Sequence, residues 1–260
     1  IKSGNGGWKS ANQIVSQGWE SIFNVDVNGD GLSDLIIGAY RGDPATGANA
    51  GRSYVVFGST DTSAIELSAV AAGNGGFVIH GECETNYSGN SVSPAGDIHG
   101  DGLTDLIIGA FGAGSFAGSS YVVFGTTDTS AIELSAVAAG SGGFIINGQT
   151  KDDRSGFSVS SAGDVNGDGL ADLIIGAYGA DPNGSRSGSS YVVFGTTDTA
   201  AIELSAVAAG SGGFIINGQT RSDYSGYSVS SAGDVNADGL ADLIICATNA
   251  DPNGSSSGSS

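Results

Sequence analysis

Short apolar runs punctuated by glycine, aspartate, asparagine and serine recur along the whole chain. Between residues 121 and 190 they are Tyr121–Phe124, Phe144–Asn147, Phe157–Ser160 and Leu173–Ala177. The third alternates apolar with polar positions, as a strand with one face in a core does. The fourth is almost continuously apolar, as a strand covered on both faces is. The residues between the runs favour positive φ or bond locally to the backbone, so they read as tight turns. The pattern predicts four short strands. One stretch is left open: in Ala131–Ala139, Ile132, Leu134 and Val137 settle on no single period, and a helical turn is one reading.

The same order of runs returns several times. Tyr121–Ser190 and Tyr191–Ser260 are each 70 residues long and differ at 10 positions. Tyr54–Ser120 is a 67-residue copy, and residues 1–53 carry the back part of a fourth, without its Tyr-Val-Val-Phe-Gly opening. The landmark residues Asp26, Asp97, Asp164 and Asp234 lie 71, 67 and 70 residues apart. The chain is therefore read as a single array over residues 1–260, with units 1–53 (partial), 54–120, 121–190 and 191–260. A lone four-stranded sheet cannot bury both faces, whereas sheets stacked around an axis bury them against each other. The expected fold is an all-β propeller, or a segment of one, built from four-stranded antiparallel blades. A β-solenoid is the rival architecture, usually with shorter coils.

Composition adds limits. There are 46 glycines and no methionine, and 39% of residues are hydrophobic against 13% charged, enough apolar material for a core. The formal charge of −19 opposes binding to nucleic acid or an anionic membrane surface. Cys83 and Cys246 occupy non-equivalent repeat positions, which points to two separate thiols rather than a repeated disulfide or zinc framework, although a single bridge stays open. No apolar run reaches the roughly 20 residues of a membrane span. No signal peptide is visible, and a start at Ile1 inside the pattern suggests a processed or partial chain.

The strongest chemical signal precedes each Leu-Ile-Ile run. It is Asp26, Asn28, Asp30, Leu32 and Asp34, then Asp97, His99, Asp101, Leu103 and Asp105. It returns as Asp164, Asn166, Asp168, Leu170 and Asp172, and as Asp234, Asn236, Asp238, Leu240 and Asp242. Oxygen donors at alternate positions can turn inward around an ion, a glycine at position 6 allows the sharp turn, and the carbonyl of position 7 adds a ligand. Such hard donors suit Ca²⁺ better than Zn²⁺ or copper. An EF-hand is excluded, since Ile37, Ile108, Ile175 and Ile245 stand where its glutamate belongs. Asp/Asn-Gly hairpin turns without metal are the plainer alternative. Aspartate retained at positions 1, 5 and 9 in four copies favours a cation, because three close carboxylates repel one another. Up to four Ca²⁺ ions are expected. The loop with His99 stands apart, since imidazole is a poor Ca²⁺ ligand, and is expected to be weak, empty or completed by water, with zinc as an alternative. His80 reads as a strand-end residue in the place of Asn147 and Asn217.

These motifs together, Ser-Gly-Phe-Ser-Val, Gly-Asp-Val-Asn-Gly-Asp-Gly-Leu-Ala-Asp-Leu-Ile-Ile-Gly-Ala and Gly-Ser-Ser-Tyr-Val-Val-Phe-Gly, resemble the FG-GAP repeat of integrin α-subunit propellers and bacterial surface proteins. The resemblance covers essentially the whole chain. It implies blades whose calcium loop joins the first and second strands, and ligand contacts on loops of the opposite face. It also implies an extracellular or cell-surface setting. There are departures. The "FG" phenylalanine is replaced by Gln17, Ser88, Ser155 and Ser225, the "GAP" proline by Tyr40, Phe111, Tyr178 and Thr248, and that element's glycine once by Cys246. Family propellers usually have seven blades and fewer than four are present, so a longer parent chain or pairing through open blade edges is expected.

Three functional readings remain. The first is a calcium-stiffened module for adhesion or protein recognition. The second is a lectin-like propeller binding a glycan, with Tyr40, Phe111 and Tyr178 as stacking rims lost at Thr248. The third is a surface-layer or filament protein assembled through blade edges. Catalysis is disfavoured: two histidines leave little for a Ser-His-Asp triad. Glu66, Glu133 and Glu203 occupy one repeated position, as architecture would place them, and Glu20, Glu82 and Glu84 complete the glutamates. Arg41-Gly42-Asp43 reads as drift of a loop that is Gly-Ala-Asp at residues 179–181. Asn86, Asn183 and Asn253 begin glycosylation sequons.

Overall fold

The computed structural model describes residues 22–61, 63–251 and 258–259; the opening strand expected within residues 1–21, Gln17, Glu20 and the sequon at Asn253 lie outside them. The strands are β1 (Ile22–Val25), β2 (Asp34–Ala39), β3 (Arg52–Val56), β4 (Gly76–His80), β5 (Ser91–Gly96), β6 (Asp105–Ala110), β7 (Ser119–Val123) and β8 (Ile132–Glu133). They continue as β9 (Gly143–Asn147), β10 (Ser158–Gly163), β11 (Asp172–Ala177), β12 (Ser189–Val193), β13 (Ile202–Glu203), β14 (Gly213–Asn217), β15 (Ser225–Gly233) and β16 (Asp242–Ala247). The open stretch 131–139 is both things at once, the two-residue strand β8 followed by a helical turn, Leu134–Ala138.

Three blades are four-stranded antiparallel sheets, β1-β2-β3-β4, β5-β6-β7-β9 and β10-β11-β12-β14, and β15-β16 begins a fourth. The chain is thus an open segment of a β-propeller. The breaks between sequence units at residues 54, 121 and 191 fall inside β3, β7 and β12. The stretch from 121 to 190 gives most of the last two strands of one blade and the first two of the next, so each repeat length of chain bridges two sheets. A second stitch comes from β8 and β13, which leave their own blades and pair in parallel with β4 and β9 of the preceding ones.

Strand period places the core. In β6, Leu106 and Ile108 pack toward the first blade, with Ile36, Val55 and Phe77, while Ile107 faces the third, with Leu173, Ile175 and Tyr191. This two-sided burial explains the unbroken apolar run: a polar residue on either face would be stranded without water. Between blades Tyr121 donates its hydroxyl to Glu82 Oε2 at 2.6 Å, and Tyr191 to Gln149 Oε1 at 2.8 Å.

The glycine in each Asp-Leu-Ile-Ile-Gly-Ala strand is fixed by the same stacking. A Cβ on Gly38, Gly109 or Gly176 would sit 2.1, 1.9 or 2.0 Å from the carbonyl oxygen of Gly89, Gly156 or Gly226 in the next blade. Cys246 occupies the equivalent place in β16, where no further blade follows among the described residues, and a side chain is accommodated there. Cys83 and Cys246 are both free thiols.

Two substitutions separate these effects. Gly109→Ala is expected to lower unfolding free energy by more than about 2 kcal/mol, since backbone must move, whereas Cys246→Ala stays within about 1 kcal/mol. Urea unfolding followed by circular dichroism measures both.

Candidate metal loops and the opposite face

All four aspartate loops join the first strand of a blade to its second, at residues 26–34, 97–105, 164–172 and 234–242. The position 1 carboxylate is turned to the loop's own amides. Asp26 accepts from Gly29, Asp30 and Gly31 at 2.8, 3.1 and 2.9 Å, and Asp97 accepts from Gly100, Asp101 and Gly102 at 2.7, 3.0 and 2.9 Å. Asp164 does the same, and these amide bonds, that of Gly169 foremost, hold its carboxyl below the usual range. Position 5 accepts the amide of position 7, as Leu32 to Asp30 at 2.7 Å and Leu103 to Asp101 at 2.8 Å, and likewise Leu170 to Asp168 and Leu240 to Asp238, both 2.9 Å. Asn28 and Asn166 link to position 5 through Oδ1 and Nδ2; Asn236 Oδ1 accepts from Asp238 N at 2.8 Å.

Position 9 is different in kind. Asp34, Asp105 and Asp172 have no solvent exposure. One oxygen of each accepts from the second loop residue, Val27, Ile98 or Val165, at 2.8 to 2.9 Å. The other accepts from the glycine after the third strand, Gly58, Gly125 or Gly195, at 2.7 to 2.9 Å. Each carboxylate therefore clasps two connections and a strand start. Burial pushes all three carboxyls up; in Asp34 and Asp172 the charges at positions 5 and 1 push further, and in Asp105 His99 pulls back. No lysine or arginine lies in these loops or in the connections 57–75, 124–142 and 194–212 at the same end of the blades. In the first and third loops, a buried carboxylate facing two more, with no lysine or arginine at hand, fits a hard divalent cation.

The second and fourth loops depart from this plan. His99 Nδ1 lies 3.0 Å from Asp105 Oδ2 and Nε2 lies 3.2 Å from Asp101 Oδ2, and the ring stacks on Phe124 at 3.9 Å. The imidazole thus bridges carboxylates that Asn28 and Asn166 leave unbridged. Among the described residues, Asp97, His99 and Asp105 are the group whose ligand atoms all come within 4.8 Å of one another. The carboxylates of the other loops, which have no such ring among them, are turned to backbone amides. In the fourth loop Ala237 stands at φ 61° where Gly167 has φ 77°. This non-glycine residue in the left-handed region carries strain that the sequence reading passed over, though the Gly to Ala change was visible.

The opposite end of the blades is aromatic. Tyr40, Phe111 and Tyr178 follow the second strands and meet rings from the loops leading into the first strands. Tyr87 stacks on Phe111 at 5.1 Å and 7°, and Phe157 lies 5.5 Å from Phe111, 4.6 Å from Tyr178 and 5.0 Å from Tyr227. Sequence reading found the three rims but not their partners, because the contacts cross from blade to blade. Asp43 of the Arg-Gly-Asp tripeptide accepts the amide of Asn49, the turn role that Asp181 plays toward Arg186.

The architecture is that of a blade array with an acidic loop at one end of each first hairpin. The FG-GAP repeat model matches residues 18–56, 155–193 and 225–260, the first-to-third-strand part of the first and third blades and the start of the fourth. Over 179 residues the chain is 30% identical to mouse (Mus musculus) integrin alpha-IIb, covering 65% of this chain and 15% of that protein. It is 31% identical over 180 residues to Xenopus laevis integrin alpha-5, covering 66% and 16%. It is also 30% identical over 187 residues to Bos taurus phosphatidylinositol-glycan-specific phospholipase D, covering 67% and 21%. The chain is an FG-GAP repeat protein of the integrin-α-like kind, and it spans about a sixth of the length of the integrins it matches.

Asp153 gives a pH signature independent of the loops. Burial, with Asp181 and Asp152 nearby, raises its carboxyl to about 6. A folded value above the unfolded one means the native state holds the proton longer, so this group's contribution falls as pH rises from about 4 to about 6. Asp153→Asn is expected to flatten that slope in chemical unfolding measured across this pH range. For the metal loops, Asp168→Asn should shrink any calcium-induced rise in melting temperature. In chelator it should leave melting unchanged or raise it, because it removes a charge facing buried Asp172.

Proposed function

We propose that this chain is an extracellular or cell-surface recognition module, in which Ca²⁺ bound at the aspartate loops stiffens one end of the blades and the loops of the other end meet a ligand. The observation that carries the calcium reading is the trio of carboxylates in each loop, one of them fully buried in the first three, at an end of the blades where no lysine or arginine lies among the described residues. The ligands are Asp26, Asn28, Asp30, the Leu32 carbonyl and Asp34 in the first loop, and their equivalents in the third and fourth. The carboxylates retain lone pairs beyond those their amide bonds use. The second loop binds Ca²⁺ more weakly, because His99 replaces an oxygen donor and already bridges Asp101 and Asp105.

The similarity to integrin α subunits supports adhesion or recognition as the role, and the propeller is taken as non-catalytic. The phospholipase D similarity covers 21% of that protein. Among the described residues no helix is long and apolar enough to cross a membrane.

Thermal unfolding in millimolar Ca²⁺ against excess chelator, at fixed ionic strength, tests the reading. A ligand bound only by the native state must raise the melting temperature, by about 2.7 kcal/mol of stability at a hundredfold excess over Kd. Calcium-specific stabilisation with several ions per chain by mass spectrometry is expected; no shift and no bound metal would sink it. His99→Asn is expected to add calcium binding at the second loop, seen as a higher stoichiometry.

A further inference from the structure

Every described lysine and arginine lies at one end of the blades, that opposite the aspartate loops: Arg41, Arg52, Lys151, Arg154, Arg186 and Arg221. In a chain of net charge −19 this segregation leaves the aspartate-loop end without a described lysine or arginine to meet an anion and gathers all six at the other end, among acids of the same loops. Three of these arginines are held by aromatic residues. Arg41 lies 5.1 Å over the ring of Tyr40. Arg154 lies 5.6 Å over Phe116 and 5.4 Å over Tyr178, and donates to the Tyr178 hydroxyl. Arg186 donates to the Tyr224 hydroxyl at 3.4 Å. Among the described residues none of the three has a carboxylate within ion-pairing distance; the pairs formed are those of His99 and of Lys151 with Asp152.

Beside Arg41 and the Phe116 ring that Arg154 covers lies a cleft of about 580 Å³. Its walls include Tyr40, Asn49, Phe111, Phe157 and Tyr227, the last 43% exposed. We infer that this cleft binds an acidic saccharide, a chain of pyranose rings carrying carboxylates. The assignment rests on the recognition reading above and names its ligand. Aromatic rings offer flat apolar faces for the C–H face of a sugar, and the tyrosine hydroxyls and the Asn49 amide offer partners for its hydroxyls. Arg41 lines the cleft with its Cζ 5.1 Å over the Tyr40 ring and has no acid paired to it, so its guanidinium can take a carboxylate in two parallel hydrogen bonds. An apolar peptide would leave the arginines unused, and an acidic peptide would leave the ring faces unstacked.

Isothermal titration of the full chain in Ca²⁺ tests this with four probes: an oligogalacturonate, sialyllactose, the carboxyl-reduced oligogalacturonate and polyglutamate. Binding of a carboxylated saccharide is expected, with the reduced form weaker by about tenfold or more, the scale of losing a charge-assisted contact. Which of the two acidic sugars binds identifies the source, a uronate polymer or a sialylated glycan. Arg41→Gln, on an exposed side chain, and Tyr227→Ala should each weaken binding by about tenfold while leaving the calcium-dependent melting curve in place. Equal binding of the reduced oligomer, or tighter binding of polyglutamate, overturns the saccharide assignment and leaves a recognition module standing. No binding to any probe also overturns it, while the melting experiment judges the calcium reading separately.

Discussion

A buried carboxylate ties each blade together. Asp34, Asp105 and Asp172 accept amides from their own loop and from the glycine beyond the third strand, so one side chain fixes both connections at that end of the sheet. Their charge lies away from water and faces two more carboxylates, an arrangement whose cost falls only if a cation or a proton arrives. Fold and proposed function meet at this point: the group that closes the blade is also one of the ligands proposed for the ion. His99 shows the coupling from the other side, since a single ring bridges carboxylates that the other loops leave apart.

The second constraint is that a four-stranded sheet has two faces. The second and third blades hide their central strands between neighbours, and the requirement reaches down to single atoms at Gly109, whose missing Cβ lets the carbonyl of Gly156 approach. Chain connectivity reinforces the stack, because each repeat length of chain supplies strands to two sheets and β8 and β13 add themselves to the preceding ones. Repeat arrays of this kind gain stability largely from nearest-neighbour interfaces. The exposure of Phe214 and Ile244, 40% and 44%, follows from the partial fourth blade beside them.

The two ends of the blades have opposite chemistry. One carries the aspartate loops and, among the described residues, no lysine or arginine; the other carries the described arginines and lysine together with a run of aromatic rings crossing from blade to blade. Strands of fixed direction enforce this separation, since first-to-second connections all fall at one end and second-to-third connections at the other. The connections at the two ends can then vary independently of each other and of the strands that hold them.

Much of this was legible in the residues alone because local rules decide it. The period of the Leu-Ile-Ile runs, the glycine turns and the aspartate spacing are written within a few residues, and they specified strands, loop positions and the family. The open stretch at 131–139 could not be resolved that way, since β8 exists only through its pairing with β4 of another blade. Blade phase was hidden as well: a repeat has no natural starting point in sequence, and only hydrogen bonding between strands shows that residues 54, 121 and 191 lie inside strands. The partners of Tyr40, Phe111 and Tyr178, and the arginines lying over rings, depend on contacts between residues tens of positions apart. What short-range patterning dictates, the sequence determined by itself; what required two sheets to face each other, only the tertiary structure decided.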